Sequence, residues 1–400
     1  MSAAENLMTG GRTCAGFNMQ SVSARIIRGG SSKGIYLWRE DLPPEGEARD
    51  RVVLRVFGSP DRRQIDGLGG ADKLTSKVAV MGPPTREDCD IDYHFGQVNT
   101  ELPRVDWRAN CGNLSAGAAL YGALIGAGRI EGDRMRVAIH QVNTGRRLVA
   151  FVPMQDGHPA VEGDFSIGGV PGTGARLDVD FGDFAGSALG GAVLPTGNAR
   201  DRITVPGIGP LEVSVVDMAN LLIFVRAADI GMETAASIFD MQADTGLVGR
   251  LEAVRKAVSA HIGFITGPGA EEELRVSTNP LIFAVAPPCD YQATNNLAVS
   301  APEHDLFARS LARYEFSKAY PGSGAAGTAV AAGIPGTLVH EAAGDIGQAG
   351  GRYDLRVGHP GGVLRVAAEV SAGAGGIRVA KALIGRTARL LMDGTAYYCP

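Results

Sequence analysis

Apolar residues fall along this chain mostly in short runs broken by polar, glycine-rich turns, a pattern that predicts more strands than helices. Residues 1–20 have no periodicity and read as a frayed tail. Strand-like spacing starts at residues 21–27, passes through a polar turn at 28–34 and resumes at 35–38. Residues 45–57 have helical spacing, with Val52, Val53, Leu54, Val56 and Phe57 grouped near the end. Further strands are expected at 76–81, 91–98, 134–142 and 146–152, and a helix of small residues at 111–127. Around 186–198 the composition turns to Gly, Ala, Pro and Thr, which marks a domain boundary. Beyond it come strands at 203–205, 211–216, 221–225 and 281–286, with an amphipathic helix at 247–264. A helix at 303–316, a second small-residue helix at 322–332 and strands at 353–357, 363–370 and 377–383 follow. A short helix at 386–393 ends the series. The expected organisation is a tail over 1–20, a first domain over 21–195 and a second over 196–385, with 386–400 a candidate to complete the first.

One pattern occurs twice. Cys111, Gly112, Asn113, Leu114 and Ser115 open one glycine/alanine helix, and Pro321, Gly322, Ser323, Gly324 and Ala325 open another. This suggests two similar halves, each built on a central helix whose N-terminus is open to a ligand. The free N–H groups and positive dipole ends of two such helices favour carboxylates without many charged side chains. The alternative, that both are only packing helices, is equally open at this level.

Composition narrows the class. A chain of 400 residues exceeds what one core usually serves. Its 45% apolar and 20% charged residues fit a globular protein. The 56 glycines have no triplet period, so they predict tight turns and close backbone approaches. Net charge is −5 with no basic stripe, which excludes nucleic acid as the expected partner. Cys14, Cys89, Cys111, Cys289 and Cys399 are scattered with no CxxC or Cys/His spacing, so neither disulfides nor a metal site is expected. Free thiols and the lack of a signal-peptide layout fit a cytoplasmic protein. The uncharged runs at 109–128 and 319–340 are too rich in Gly and Ala, and the second too broken by Pro321 and Pro335, to predict a membrane span.

Candidate chemistry centres on a few residues. Cys111 stands at the predicted start of a helix, where a thiol is tuned toward neutrality, or it is simply a small buried hydrophobe. Lys77 stands at the mouth of an apolar strand; an ordinary lysine is a poor base at neutral pH unless burial or a second cation such as Lys73 acts on it. Arg28, Ser31, Ser32 and Lys33 lie in a turn able to offer cations, hydroxyls and N–H groups to a carboxylate. Gly322, Gly324 and Gly327 spell GxGxxG, but the preceding residues make a poor strand and the helix is short, so a dinucleotide site is not expected. Gly30, Ser32 and Gly34 spell GxSxG ahead of a strand rather than a helix. Among the seven histidines only His359, in Gly-His-Pro-Gly-Gly, has a suggestive setting.

Taken together, these segments resemble the PrpF family, which includes 2-methylaconitate, methylitaconate and 4-oxalomesaconate isomerases. The matching pieces are residues 28–34 (family pattern RGGTSKG), 69–77 (GGA…TSK), 110–114 (NCGN), 357–361 (IGHPSG-like) and 386–394 (RTAR…G). The resemblance implies an α/β fold of the diaminopimelate-epimerase-like kind. In that fold two pseudo-symmetric domains, each a curved sheet or barrel around a central helix, hold the active site in the cleft between them. It implies Lys77 and Cys111 as catalytic residues and Asn220 as a second-domain residue facing substrate. Two-thiol racemases of that fold have a second catalytic cysteine where this chain has Tyr320, Pro321, Gly322 and Ser323, so racemisation is disfavoured. The chain also departs from the family at Ser317, where a histidine is common, and at Gly361, where the turn often has Ser; both touch the expected substrate pocket.

The expected function is a cofactor-independent allylic isomerisation, either double-bond migration or cis–trans isomerisation, of a small unsaturated di- or tricarboxylate. Arg28, Ser31, Ser32, Gly112, Asn113, Leu114, Asn220, Lys318, Ser323, Gly324 and His359 are the expected substrate-binding set, and no metal is expected. Alternatives are keto–enol tautomerisation of an oxo-tricarboxylate and a non-catalytic polycarboxylate-binding partner of an aconitase-like enzyme. A homodimer is plausible for this kind of fold.

Overall fold

The computed structural model describes residues 19–107, 111–344, 346, 351–373 and 376–400. Asn110 and residues 1–18 of the expected tail lie outside them; Gln20, at the end of that tail, opens the first strand. The chain divides into two compact units. One holds the chain as far as Val179 and takes back Arg386–Pro400; the other is Asp180–Gly385.

The first unit is built from β1 (Gln20–Gly29), β2 (Ser32–Trp38), α1 (Glu47–Phe57), β3 (Lys77–Gly82), β4 (Ile91–Val98), α2 (Gly112–Leu124), β5 (Arg134–Gln141) and β6 (Arg146–Gln155). β1 and β2 form a hairpin, β2 pairs β3 in parallel, β3 pairs β4 antiparallel, β4 pairs β5 in parallel and β5 pairs β6 antiparallel. β3 is buried along its whole length, which is why Lys-Val-Ala-Val-Met-Gly reads as a continuous apolar run rather than an alternation. α1 lays Val52, Val53, Val56 and Phe57 against Val22, Ile35, Leu37, Val78 and Val80. α2 packs against the strands on its own side, and Leu114, Ala116, Ala118, Ala119 and Leu120 are all at most 3% exposed. A helix buried all round has no polar face to show, so small apolar residues fill it without amphipathic spacing.

The second unit repeats this order of pairings. β7 (Gly209–Met218) and β8 (Asn220–Arg226) form a hairpin, and β8 pairs β9 (Leu281–Ala286) in parallel. β9 pairs β10 (Leu306–Ala312) antiparallel, β10 pairs β11 (Arg352–His359) in parallel, and β11 pairs β12 (Gly362–Gly373) antiparallel. α3 (Thr245–His261) takes the place of α1, and α4 (Gly322–Ala332) that of α2, buried along its whole length. β12 then pairs Gly376–Arg386, named β13.

Three expected elements differ. Residues 303–316 form no helix: a 3-10 turn at Ala301–Glu303 leads into β10 and a short strand at Glu315–Phe316. β10 lies between β9 and β11 and is buried on both faces, so it lacks the period-two signature of a strand. Residues 386–393 form no helix either; Ala388–Tyr398 is a strand, held antiparallel along β1 from Gln20↔Tyr398 to Gly29↔Ala388. Residues 186–198 belong to the second unit, where the N–H groups of Ala188 and Leu189 each donate to a carboxylate oxygen of Asp217 at 2.8 Å.

Candidate active site

In the first unit one face of β4 organises the candidate groups. Tyr93, Phe95 and Gln97 alternate along it, so all three project to the same side. Gln97 is anchored first: its Nε2 donates to the carbonyls of Ser76 at 2.9 Å and Lys73 at 3.2 Å. That leaves Oε1 turned to Lys77, whose Nζ donates to it at 2.7 Å. Nζ also lies 5.1 Å from the centre of the Phe95 ring, and Lys77 is only 8% exposed. Two positions back, the Tyr93 hydroxyl donates to the Cys111 carbonyl at 3.4 Å. Lys77 and the helix start at Cys111 thus share one side of β4.

Cys111 caps α2 and is partly exposed. Its carbonyl accepts from the Ser115 N–H and Oγ, both at 3.2 Å, which closes the first helical turn. Gly112, Asn113 and Leu114 follow, and a helix leaves its first N–H groups without intrahelical partners. No acidic residue stands in that first turn to offset the dipole. The Tyr36 hydroxyl donates to the Leu114 carbonyl at 2.9 Å. Burial, and then charge at Cys111, push both Tyr36 and Tyr93 well above the ordinary tyrosine value, so both stay neutral donors. Gly34 explains how tightly this is assembled: a Cβ there would meet Leu114 Cδ2 and the Lys77 carbonyl at 2.9 Å.

The β1–β2 turn reaches the same helix start. Asn113 Nδ2 donates to Ser31 Oγ at 3.1 Å, and Asn113 Oδ1 accepts from Arg386 Nε at 3.2 Å. Ser32 is 2% exposed, and its hydroxyl has no hydrogen-bond partner among the described residues. Arg28 turns elsewhere. Its Nη1 donates to the Gly30 carbonyl at 2.9 Å and to Thr387 O and Oγ1 at 3.0 Å. With Arg389, Glu162 and residues 170–174 it lines a cavity of about 430 Å³ that includes neither Lys77 nor Cys111.

The second unit has a matching brace with the partners exchanged. Asn220 opens β8, and its Nδ2 donates to Ser323 Oγ at 2.7 Å, on the second residue of α4. In both units, then, the hairpin turn is tied by an Asn–Ser bond to the second residue of the central helix. Both turns place a residue in the left-handed region, Gly30 at φ 53° and Ala219 at φ 64°. Gly324 is a packing position, since a Cβ there would lie 2.6 Å from the Phe283 ring. His359 is buried, its Nδ1 accepts from the Gly361 N–H at 3.1 Å, and its ring stands edge-on to Tyr320 at 5.8 Å. Lys318 is exposed, and its Nζ sits 5.8 Å from the centre of the Phe239 ring.

Sequence reading passed over Gln97, Tyr93 and Arg386. The alternation through Asp-Tyr-His-Phe-Gly-Gln-Val carried the signal for the first two, and the Arg-Thr-Ala-Arg segment for the third. Arg386 is 4% exposed, and burial lowers its pKa to about 10 against the opposing pull of Cys111. Among the described residues there is no group of three or more His, Cys, Asp or Glu side chains placed to hold a metal ion. No helix there is long and apolar enough to cross a membrane.

Known proteins bear on this arrangement. A 3-methylitaconate isomerase of Eubacterium barkeri is 42% identical over 374 residues, 93% of this chain and 96% of that protein. A 2-methyl-aconitate isomerase of Shewanella oneidensis is 37% identical over 385 residues, again 93% of this chain and 96% of that protein. The crystal structure of a methylitaconate-delta-isomerase superposes with a TM-score of 0.85 at 40% identity, covering 96% of each chain. Residues 19–399 match the family described as PrpF protein. With relatives of this identity over nearly its whole length named isomerases, the chain is an isomerase, and it belongs to the PrpF family.

Proposed function

We propose that this enzyme moves a proton between the two ends of an allylic unit in a small unsaturated di- or tricarboxylate, of the kind that methylitaconate and 2-methylaconitate represent. The observation that carries the reading is the shared face of β4, which presents the Lys77 amine through Gln97 and Phe95 and the Cys111 helix start through Tyr93.

In the scheme, the Lys77 amine takes a proton from the carbon next to the double bond. The C–H electron pair moves into the conjugated system and gives a dienolate whose negative charge spreads onto a carboxylate. The N–H groups of Gly112, Asn113 and Leu114 receive that charge, with Ser31 and Ser32 beside them. Preorganised donors of this kind are typically worth about 3 kcal/mol in a transition state. A proton then returns to the far allylic carbon. If the Lys77 ammonium delivers it, one base serves both steps and Cys111 positions substrate. If the Cys111 thiol delivers it, the Lys77 proton must afterwards pass back to the thiolate, directly or through solvent. In the second unit, Asn220, Ser323 and Gly324 are the proposed carboxylate binders. Arg28, His359 and Lys318 complete the proposed binding set.

The test is proton NMR in D₂O with methylitaconate, 2-methylaconitate, cis- and trans-aconitate and 4-oxalomesaconate, comparing the wild type with Lys77→Ala. Isomer conversion with deuterium entering an allylic carbon is expected, with a loss of about 10²-fold or more in the variant. Conversion that survives in Lys77→Ala would remove Lys77 from the scheme. Enol-to-keto conversion of 4-oxalomesaconate without double-bond migration would replace it with tautomerisation.

A further inference from the structure

Arg28 and Arg389 oppose each other across two paired strands, and both line the cavity that includes neither Lys77 nor Cys111. Gly29 is the residue of β1 that lies against α2, where a Cβ would come within 2.7 Å of the Asn113 carbonyl. Neighbouring residues of a strand project to opposite faces, so Arg28 stands on the face of β1 away from α2. Arg389, on the C-terminal strand Ala388–Tyr398, is its direct antiparallel partner and shares that face. Like charges placed directly opposite each other repel. Burial, and then the charge on Arg389, lower the Arg28 pKa, as such a pair requires. Arg28 donates only to neutral oxygens, of Gly30 and Thr387, and only through Nη1. These bonds fix the guanidinium and leave Nε and Nη2 without a partner among the described residues. Arg389 is exposed and has no ion pair among them. The cavity of about 430 Å³ is large enough for a small organic ligand. Val161, Ile167, Val170 and Pro171 give it an apolar wall. Glu162 also lines it, an exposed carboxylate paired with neither arginine.

We propose that this cavity is a second anion site, which takes a small di- or tricarboxylate between Arg28 and Arg389 on the face of β1 away from α2. A carboxylate between the two guanidiniums replaces their repulsion with charge-assisted hydrogen bonds. The carbon chain of such an acid uses the apolar wall, which a bare phosphate would leave empty. Arg28 thus enters the binding set at this cavity, apart from the reacting carbons. That the anion is a carboxylate rests on the substrate class proposed above; that the site takes an anion does not. The test is isothermal titration calorimetry of the full-length protein with tricarballylate, a saturated tricarboxylate with no allylic proton. The buffer is low in salt and free of phosphate and sulfate. Arg389→Gln is expected to bind one tricarballylate fewer per chain than wild type, or to bind that one about tenfold more weakly. Glu162→Gln removes the carboxylate at the same cavity and is expected to tighten the same site about threefold. Equal stoichiometry and affinity in wild type and Arg389→Gln overturn the proposal. If Arg389→Gln does not fold, Glu162→Gln decides, and an unchanged titration overturns it. A parallel titration with inorganic phosphate tests the ligand class: tighter binding of phosphate than of tricarballylate at this site overturns the carboxylate assignment. Isomerase assays on Lys77→Ala bear on the proposed reaction, and their failure leaves the loss of a site in Arg389→Gln untouched.

Discussion

At the scale of single residues, some buried polar groups in the first unit are held by networks rather than by isolated pairs. Asp92 shows the cost of such a group most clearly. Its carboxylate is 2% exposed and accepts from Arg39 Nη1 at 2.6 Å, from the Thr85 N–H at 3.0 Å and Oγ1 at 2.9 Å, and pairs with His140 Nδ1 at 2.9 Å. Burial alone would raise its pKa, but the bonds from Thr85, Arg39 and His140 outweigh it and hold the group below 3.8. A carboxyl whose folded value lies below its unfolded value stabilises the protein above the unfolded value, and that contribution is lost as pH falls through the folded one. Asp92→Asn is therefore expected to cost about 3 kcal/mol at pH 7. The cost should shrink as pH falls below the ordinary carboxylate value and through the lowered folded one, where the wild-type carboxylate takes up its proton. Urea midpoints of the two proteins at pH 7 and pH 3.5 check both statements; an equal gap at the two pH values would show that charge is not the cause.

At the scale of elements, the helix-to-hairpin contact decides which glycines are replaceable. A Cβ on Gly29 would lie 2.7 Å from both the Asn113 carbonyl and the Gly117 nitrogen. Both are backbone atoms, so no side chain can swing away to relieve the overlap. Gly29→Ala is expected to cost about 1–3 kcal/mol and to slow turnover, since it pushes on the turn of α2 that carries Asn113. Gly351→Ala, with nothing within 4 Å, is the control and should be within about 0.5 kcal/mol of wild type. Thermal melts of the two variants make the comparison. The GxGxxG spacing at Gly322, Gly324 and Gly327 is explained in the same way. A Cβ on Gly327 would sit 3.1 Å from Met218 Cβ, as one on Gly324 would press on Phe283, so these positions serve helix packing.

At the scale of the whole molecule, the chain's return matters more than its length suggests. Arg386–Pro400 supplies the strand that covers β1 and carries Arg386 and Thr387 to the helix start. A chain ending at Gly385 would leave β1 an open edge in the first unit. Both tryptophans, Trp38 and Trp107, lie in that unit, so intrinsic fluorescence reports on it alone. Truncation after Gly385 is expected to red-shift the emission to that of solvent-exposed tryptophan, while much of the far-ultraviolet circular dichroism from the second unit remains. Native emission from the truncated chain would show that the C-terminal strand is dispensable.

The family motifs, the two small-residue helices and most strands of the first half were legible in the sequence, because each is written in neighbouring residues. Lys-Val-Ala-Val-Met-Gly states a buried strand, and Cys-Gly-Asn-Leu-Ser states an uncapped helix start. Two strands were read as helices, β10 and the C-terminal strand. β10 is buried on both faces and so has no period, and Ala388–Tyr398 is a strand because it pairs with β1, more than 350 positions away in the chain. The same distance hid Arg386. Its identity was plain, but its position against Asn113 is set by two segments that approach only when the chain folds back. The sequence by itself determined the family and offered the candidate residues, since residue type and local spacing are properties of the chain. Tertiary structure alone decided which of them meet. It turned Lys77 toward Gln97 and Arg28 toward Thr387, because hydrogen-bond partners that lie far apart in sequence are assigned by packing and not by pattern.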